Sequence, residues 1–488
     1  MKFARLLISG WLLALAASSQ AAGGSDGDGY YLAGFEFHRP DASMWKRTRC
    51  GSPAGGSEQV DLITKWGKNV SSGKTPLSYY PRPQMIRLEN TAAEEIDAAV
   101  LRDRGDAANW INLNGLWEWE PAVPSSLPPF GKTLNGSILV PFPVESCLSG
   151  VAPASSDDFV SNMWYRLVFD SPAISDGSRY LLNFGAVNWQ STVYLNGQNL
   201  GNNTGGYNSF SFDVSFKEKG NELLIRVFNP ADSGSQPNGK QRIGAISSPG
   251  GDTYTPSSGI WQTVWLEKVA DAYVSSLKID QSFADRVVVT ANAAGGDGSI
   301  LAVSFQVFDG KEKIAEVSGK AGQAVAIMLP NARLWSPEDP HLYDLRVNMG
   351  DDSVLSYFGM RTFGAALSTK GWKRPQLNGK FTFFAGFLDQ SFWPDGIYTA
   401  PSDDALKYDI QVLESFGLNM IRLHQKINPA RWYYHADVRG IVIFQDLVQK
   451  VKIFLSFCYS IHFFQIFSLF LNFLVRGSIK GDDSLFCL

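Results

Sequence analysis

Asp389, Gln390, Arg422, His424 and Asp446 place carboxylate, amide, guanidinium and imidazole groups just beyond three short apolar stretches, "KFTFFAGF", "LNMIRL" and "IVIFQ". If those stretches are neighbouring parallel strands, their C-terminal ends form one rim, the usual ligand-binding edge of parallel α/β units. Side chains of these types on a rim can contact a polar ligand; for His424, Asp389 and Asp446 the plain alternative is a packed or solvated group. Asp395 in "FWPDG" reads as a turn residue. The Asn221-Glu222 pair opens the strand-like "NELLIRVFNP" and reads as structural. No GxGxxG, P-loop or HExxH pattern occurs, so no cofactor is expected. The four cysteines have no zinc spacing, and no metal is expected.

The elements that would position the rim follow from hydrophobic period. "PSDDALKYDIQVLESFG" repeats Leu406, Ile410 and Leu413 on one face, with Ser402 and Asp403 as caps and Gly417 as a stop, which predicts a helix. "NPARWYYHADVRG" predicts a second helix, with Pro429 near its first turn. "KFTFFAGF" is an unbroken apolar run of the buried, parallel kind. Strand, helix, strand, helix, strand begins a right-handed parallel α/β unit. Upstream the pattern is β. From Trp110, "NMWYRLVFD", "STVYLNGQNLG", "NSFSFDVS", "NELLIRVFNP" and "IWQTVWLEKV" alternate with turn clusters, and Asn196-Gly197 supplies the positive φ angles of a tight hairpin. This spacing predicts a jelly-roll sandwich. Residues from about 270 to 364 carry enough short strands for an immunoglobulin-like sandwich, without a Cys-Trp-Cys signature.

At 488 residues the chain can bury two or three cores. The 43 Lys+Arg against 47 Asp+Glu give no reason to expect nucleic acid as a partner. Fourteen Trp and 17 Tyr suit stacking on sugar rings, but abundant aromatics are more often sandwich core. "MKFARLLISGWLLALAASSQAAGG" has a basic start, a short apolar stretch and small residues at a cleavage point, the pattern of a secretory signal peptide. Secretion would make Asn69-Val70-Ser71, Asn135-Gly136-Ser137 and Asn202-Asn203-Thr204 acceptors for glycans in a eukaryotic host. It would also let Cys50 and Cys147 pair, although the sequence fixes no connectivity.

The quoted stretches carry a family resemblance. "YYPRPQMIR", "INLNGLWEWEP", "MWYRLVF", "FGAVNWQSTVYLNGQNLGNNTGGYNSFSFDV", "SSGIWQTVWLE", "ARLWSPEDPHLYDLRV", "FGMRTFG", "LNGKFTFFAGFLDQ" and "NMIRLHQKINPARWYYHADVRGIVIFQD" occur in the order found in glycoside hydrolase family 2. The chain resembles that family, which includes β-galactosidases, β-glucuronidases and β-mannosidases, from Pro76 to about Asp446. Pattern and composition give a signal peptide at 1–22, a loosely ordered Gly- and Ser-rich arm at 23–74 and a helical insertion near 91–108, and the resemblance implies a multi-domain β plus α/β protein with a jelly-roll sugar-binding domain at 75–268. An immunoglobulin-like sandwich at 269–364 and the first part of a (β/α)8 TIM barrel at 365–450 complete it, and the apolar tail at 451–488 lies outside the family pattern.

The implied activity is hydrolysis of terminal β-linked sugars by a retaining mechanism, using an acid/base glutamate after the fourth barrel strand and a nucleophilic glutamate after the seventh. Neither position occurs here, so the expectation is a chain without catalytic residues, whose Arg422, His424, Asp389 and Asp446 are candidates for carbohydrate contact. Arg422 and His424 match the family's Asn-x-x-Arg-x-x-His region loosely, with His424 one place early. The alternative is a non-catalytic carbohydrate-binding protein.

After Lys450 the chain turns phenylalanine-rich, and Ile453 to Val475 contains no charged residue. That length suits a membrane anchor. A continuation of the barrel is a second reading. The favoured one is a segment foreign to the folded design, because an anchor directly after a bare third strand would leave an apolar inner face exposed. A translated intron following Lys450-Val451-Lys452 would account for it.

Overall fold

A computed structural model describes residues 34–48, 50, 61–88, 102, 110–171 and 179–450. The expected signal peptide, the tail at 451–488 and the expected helical insertion, Arg102 apart, lie outside the described residues.

The first body is two antiparallel sheets face to face. One runs in the order Gln198–Thr204, Gln190–Leu195, Asn221–Phe228, Asn162–Asp170, Gly115–Pro121, Gly136–Val140. The other runs Phe210–Val214, Arg179–Phe184, Val264–Val269, Trp110–Asn112. Period-two alternation along Asn162–Asp170 sends Met163, Tyr165, Leu167 and Phe169 into the shared core. On the outward face Arg166 bridges Glu118 at 2.7 Å and Glu222 at 2.6 Å, which gives Glu222 its structural role. Asn196 and Gly197 turn the hairpin with φ of 54° and 83°.

The second body pairs a sheet of Ala272–Asp280, Arg286–Gly295 and Ala324–Met328 with one ordered Glu312–Lys320, Ala302–Asp309, Tyr343–Met349, Asp352–Phe358, Ile86–Arg87. Its core holds Val287, Val289, Val303, Phe305, Leu345 and Val347. Ile86–Arg87 corrects the expected 75–268 jelly-roll span: these residues fall within it in sequence but add a strand to the second body. A buried ionic joint explains the exchange. Arg87 forms a two-pronged pair with Asp352 and lies 3.6 Å from Glu267, which belongs to the first body and also receives Arg82 at 2.5 Å.

The arm is a second correction. Its described residues are fixed, not loose. Glu36–His38 pairs antiparallel with Asn162–Asp170, Cys50 is disulfide-bonded to Cys147, and Thr64 donates its backbone N–H (2.9 Å) and hydroxyl (2.6 Å) to Asp395. Trp66 sits edge-on to Trp393 at 5.9 Å and to Tyr408 at 5.0 Å. Gly and Ser content signalled looseness, but the order comes from long-range partners that local composition does not encode.

The last described part is a parallel unit: β1 (Gly386–Asp389), α1 (Asp403–Ser415), β2 (Met420–Leu423), α2 (Ala430–Val438) and β3 (Val442–Gln445), with the strands in the order β1-β2-β3. Ser402 caps α1 by accepting from the Ala405 N–H at 3.1 Å, Asp403 and Asp404 complement its positive end, and Gly417 ends it with φ of 71°. Leu406, Ile410 and Leu413 pack with Ile421, Leu423 and Trp432. "KFTFFAGF" is not one buried strand. Lys380–Phe381 closes a small antiparallel sheet with Phe363–Leu367 and Lys373–Leu377, and only the last residues of the run enter β1. Phe383 and Phe387 stay exposed because no element covers them among the described residues. No helix among the described residues is long and apolar enough to cross a membrane.

Candidate functional site

The parallel register sets Asp389, Leu423 and Gln445 level at the C-terminal ends of β1, β2 and β3, so the loops that follow share one rim. Arg422 on β2 reaches across to Asp446, Nη2 to Oδ2 at 2.9 Å and Nε to Oδ1 at 3.2 Å. This fork engages both Asp446 oxygens while half the Arg422 side chain stays exposed. His424 lies beside the pair, its Nε2 3.6 Å from Asp446 and its Nδ1 3.3 Å from the Gln390 amide. Burial lowers the His424 pKa, against the pull of Asp446 and with help from Lys240 and Arg422. A neutral ring carrying its proton on Nε2 fits these neighbours, since the Gln390 Nε2 then donates to Nδ1.

Asp389 faces inward to its own loop. Its carboxylate accepts from the Ser391 N–H (2.6 Å) and hydroxyl (2.8 Å), and its backbone carbonyl accepts from the His424 N–H (2.8 Å). The structure therefore groups Arg422, His424 and Asp446 side by side, while Asp389 shapes the loop behind them. Gln390 leaves Oε1 buried with no hydrogen-bond partner among the described residues. Asp395 is fully buried and ties the arm to this loop, as a turn residue with long-range partners.

Lys426, two residues past His424, carries no family or spacing signal that would single it out. Its ammonium is buried, donates to the carbonyls of Ser391 (2.7 Å) and Tyr398 (2.8 Å), and lies over the Tyr398 ring at 4.7 Å. Burial lowers its pKa to about 7, partly offset by Asp389. The unfolded chain binds this proton up to about pH 10.5, so the folded state gains stability as pH rises from about 7 to 10.5. Urea melts across that range are expected to show a rising midpoint in the wild type and a flatter one in Lys426→Met; equal slopes would remove Lys426 as the cause.

The other missed contributors come from the first body. The long segment between Phe228 and Gly259 reaches this rim: the Gly239 N–H donates to the Gln449 carbonyl at 3.0 Å, the Gln449 N–H donates to the Gln425 side chain at 2.9 Å, and Tyr254 stacks on Phe392 at 4.2 Å. Gly239 has φ of 55°, and a Cβ there would meet the Gln425 carbonyl at 2.4 Å, so this close approach requires glycine. Lys240, paired with Asp252 at 2.6 Å, is near enough to influence His424. The signal available in sequence was the length and Gly/Pro/Ser content of "GSQPNGKQRIGAISSPGGDTYTPSSG". A separate cleft of about 40 Å³ beside Tyr79, Trp261, Asp403 and Arg431 has room for a few waters and no sugar ring. No group of three metal-ligating side chains occurs among the described residues.

Two sandwiches followed by a parallel unit with a polar rim define a multi-domain β plus α/β architecture, which can be compared with known proteins. Residues 158–256 match the sequence model "Glycosyl hydrolase 2 galactose-binding domain-like", and residues 272–361 match "Glycosyl hydrolases family 2". These two segments are thus similar to consecutive domains of glycosyl hydrolase family 2. It is 27% identical over 303 residues to a putative β-glucuronidase of Formosa agariphila, covering 59% of this chain and 35% of that protein. It is 25% identical over 326 residues to a β-galactosidase of Thermoanaerobacter pseudethanolicus, covering 60% and 40%. The chain thus spans less than half the length of either relative. Among solved structures, the apo β-glucuronidase of Ruminococcus gnavus superposes with a TM-score of 0.56 at 21% identity, over 70% of this chain and 58% of that one, which establishes a shared fold.

Proposed function

We propose that this chain supplies the two sandwiches and the opening strands of a TIM barrel to a retaining β-glycosidase acting on terminal β-linked sugars. The observation that carries this reading is the cluster of Arg422, His424 and Asp446 on one rim, beside the loop that ends the galactose-binding-like match. In a completed barrel, Arg422 could orient the nucleophilic carboxylate by a charge-assisted bond, and the rim would contact the sugar hydroxyls. Asp389 serves that rim by holding its first loop.

Retaining hydrolysis needs one protonated carboxyl at the leaving oxygen and one carboxylate about 5–5.5 Å away at the anomeric carbon. In this proposal both belong to barrel strands that follow the three described here. Secretion is part of the reading, supported by the N-terminal pattern and by a disulfide suited to an oxidising compartment.

A form that carries a complete barrel is expected to hydrolyse a chromogenic β-glucuronide, β-galactoside or β-mannoside, and failure on all three would overturn the glycosidase reading. The galactose-binding-like match favours a second reading, a non-catalytic carbohydrate-binding protein. Retention of the chain on a glycan array, with no activity from the complete-barrel form, would select it.

A further inference from the structure

We infer that the chain carries N-linked glycans on Asn202 and Asn69 and none on Asn135. This rests on the secretory routing proposed above, and the three acceptor sequences differ in what the fold does with them.

Asn202-Asn203-Thr204 ends the strand Gln198–Thr204, the outermost of the seven-stranded sheet. Because side chains alternate along a strand, Asn202 and Thr204 share a face, level with Thr192 and Gln190 on the neighbouring strand. Core-facing Val193 lies on the opposite face. Asn202 and Thr204 are both exposed, and neither side chain makes a hydrogen bond among the described residues. The intervening Asn203 is instead committed to its turn, donating to the Gly205 carbonyl at 3.3 Å and accepting from Asn208 at 3.1 Å. Asn69 closes the short turn Gly67–Asn69, is exposed, and has a side-chain amide with no hydrogen bond among the described residues.

Asn135 is held. Its side-chain amide donates to Glu120 at 2.8 Å, its backbone N–H donates to the same carboxylate at 3.2 Å, and the Ser137 hydroxyl donates to the Met44 carbonyl at 3.3 Å, beneath the arm. Asn135 is exposed, but a glycan there must displace the charge-assisted bond to Glu120. At Asn202 and Asn69 it extends into solvent.

The donor is an oligosaccharide linked to a polyprenyl diphosphate. The asparagine amide nitrogen forms a bond to C1 of the first sugar, the bond from C1 to the diphosphate oxygen breaks, the amide proton passes to a base, and the lipid diphosphate leaves. No oxidant or reductant is involved. On Asn202 the product would also hinder strand addition at the outermost strand by a second sheet.

The test is secretion of the full chain from a eukaryotic host, as wild type and as Asn69→Gln, Asn135→Gln and Asn202→Gln, with gel mobility read before and after enzymatic glycan release. Wild type should fall by two steps, the 69 and 202 variants by one, and the 135 variant by two. Peptide mapping of wild type alone should find aspartate at 69 and 202 after release, so the answer does not depend on any variant folding. Occupied Asn135, or unmodified Asn202 on molecules that contain the Cys50–Cys147 disulfide, would overturn the inference while leaving the routing intact. Molecules lacking both disulfide and glycan would refute the routing and the inference together.

Discussion

Glu267→Ala is expected to cost about 3–5 kcal/mol of folding stability, the scale for stranding buried charges by removing their partner. The carboxylate is wholly buried and is held by Arg82 at 2.5 Å, by the Tyr80 hydroxyl at 2.5 Å and by the Trp265 indole N–H at 2.7 Å. Arg87 sits 3.6 Å away, committed on its other side to Asp352. Removing Glu267 leaves the Arg82 guanidinium, on a side chain 24% exposed, without its anion, takes one neighbour from the buried Arg87, and frees the residues next to the strand Ile86–Arg87. The damage therefore reaches both sandwiches. Burial alone would raise the Glu267 pKa, but Arg82 and Arg87 outweigh it and hold the carboxyl below its usual value of 4.5. A depressed folded-state pKa means that the stabilisation is present above about pH 4.5 and is lost as pH falls below it. Urea melts at neutral pH and near pH 4 check both statements. Glu267→Gln, which keeps the shape and drops the charge, should lose the acid sensitivity as well as stability. A loss under about 1 kcal/mol in the alanine variant would show that water reaches the joint and solvates the arginines.

Cys50→Ser is expected to cost about 4–5 kcal/mol on the chain-entropy account, since the bond to Cys147 closes a loop with a sequence separation of 97 residues. The half-cystines pack with Leu139, Phe142 and Leu148, and Cys147 is adjacent to Ser146, whose hydroxyl donates to the Asp395 carbonyl at 2.6 Å. Losing the bond should loosen the arm first, so limited proteolysis near residues 61–75 should precede global unfolding. Reduced wild type should melt with the variant. If both melt with the oxidised protein, the arm is held by Glu36–His38, Thr64 and Trp66 without help from the disulfide.

The period of the hydrophobic residues carried most of the architecture. Alternation in "NMWYRLVFD" and the repeat of Leu406, Ile410 and Leu413 describe local faces, and local faces are what a sequence displays. Ile86–Arg87 was illegible as a strand of the second sandwich because its place is set by Asp352 and Glu267, far along the chain. "KFTFFAGF" misled for a related reason: its apolar side chains match a buried strand, but burial needs a covering element, and none covers Phe383 or Phe387 among the described residues. At the rim, Asp389, Arg422, His424 and Asp446 were legible from their positions after strands. Their division of labour was not. That Asp446 is engaged by Arg422 and Asp389 by Ser391 depends on side-chain reach, as does the approach of Lys240 from another body.

The bond between Thr64 and Asp395 spans 331 residues, which has a consequence for biogenesis. A chain emerging from the ribosome exposes its arm early, yet the arm's last anchoring site is synthesised long afterwards, so the first part made is among the last to settle. Throughout that interval the aromatic face of Trp66 waits without Trp393 and Tyr408 and is available to chaperones. Fusions placed just ahead of the arm should therefore impair maturation more than fusions on surface loops.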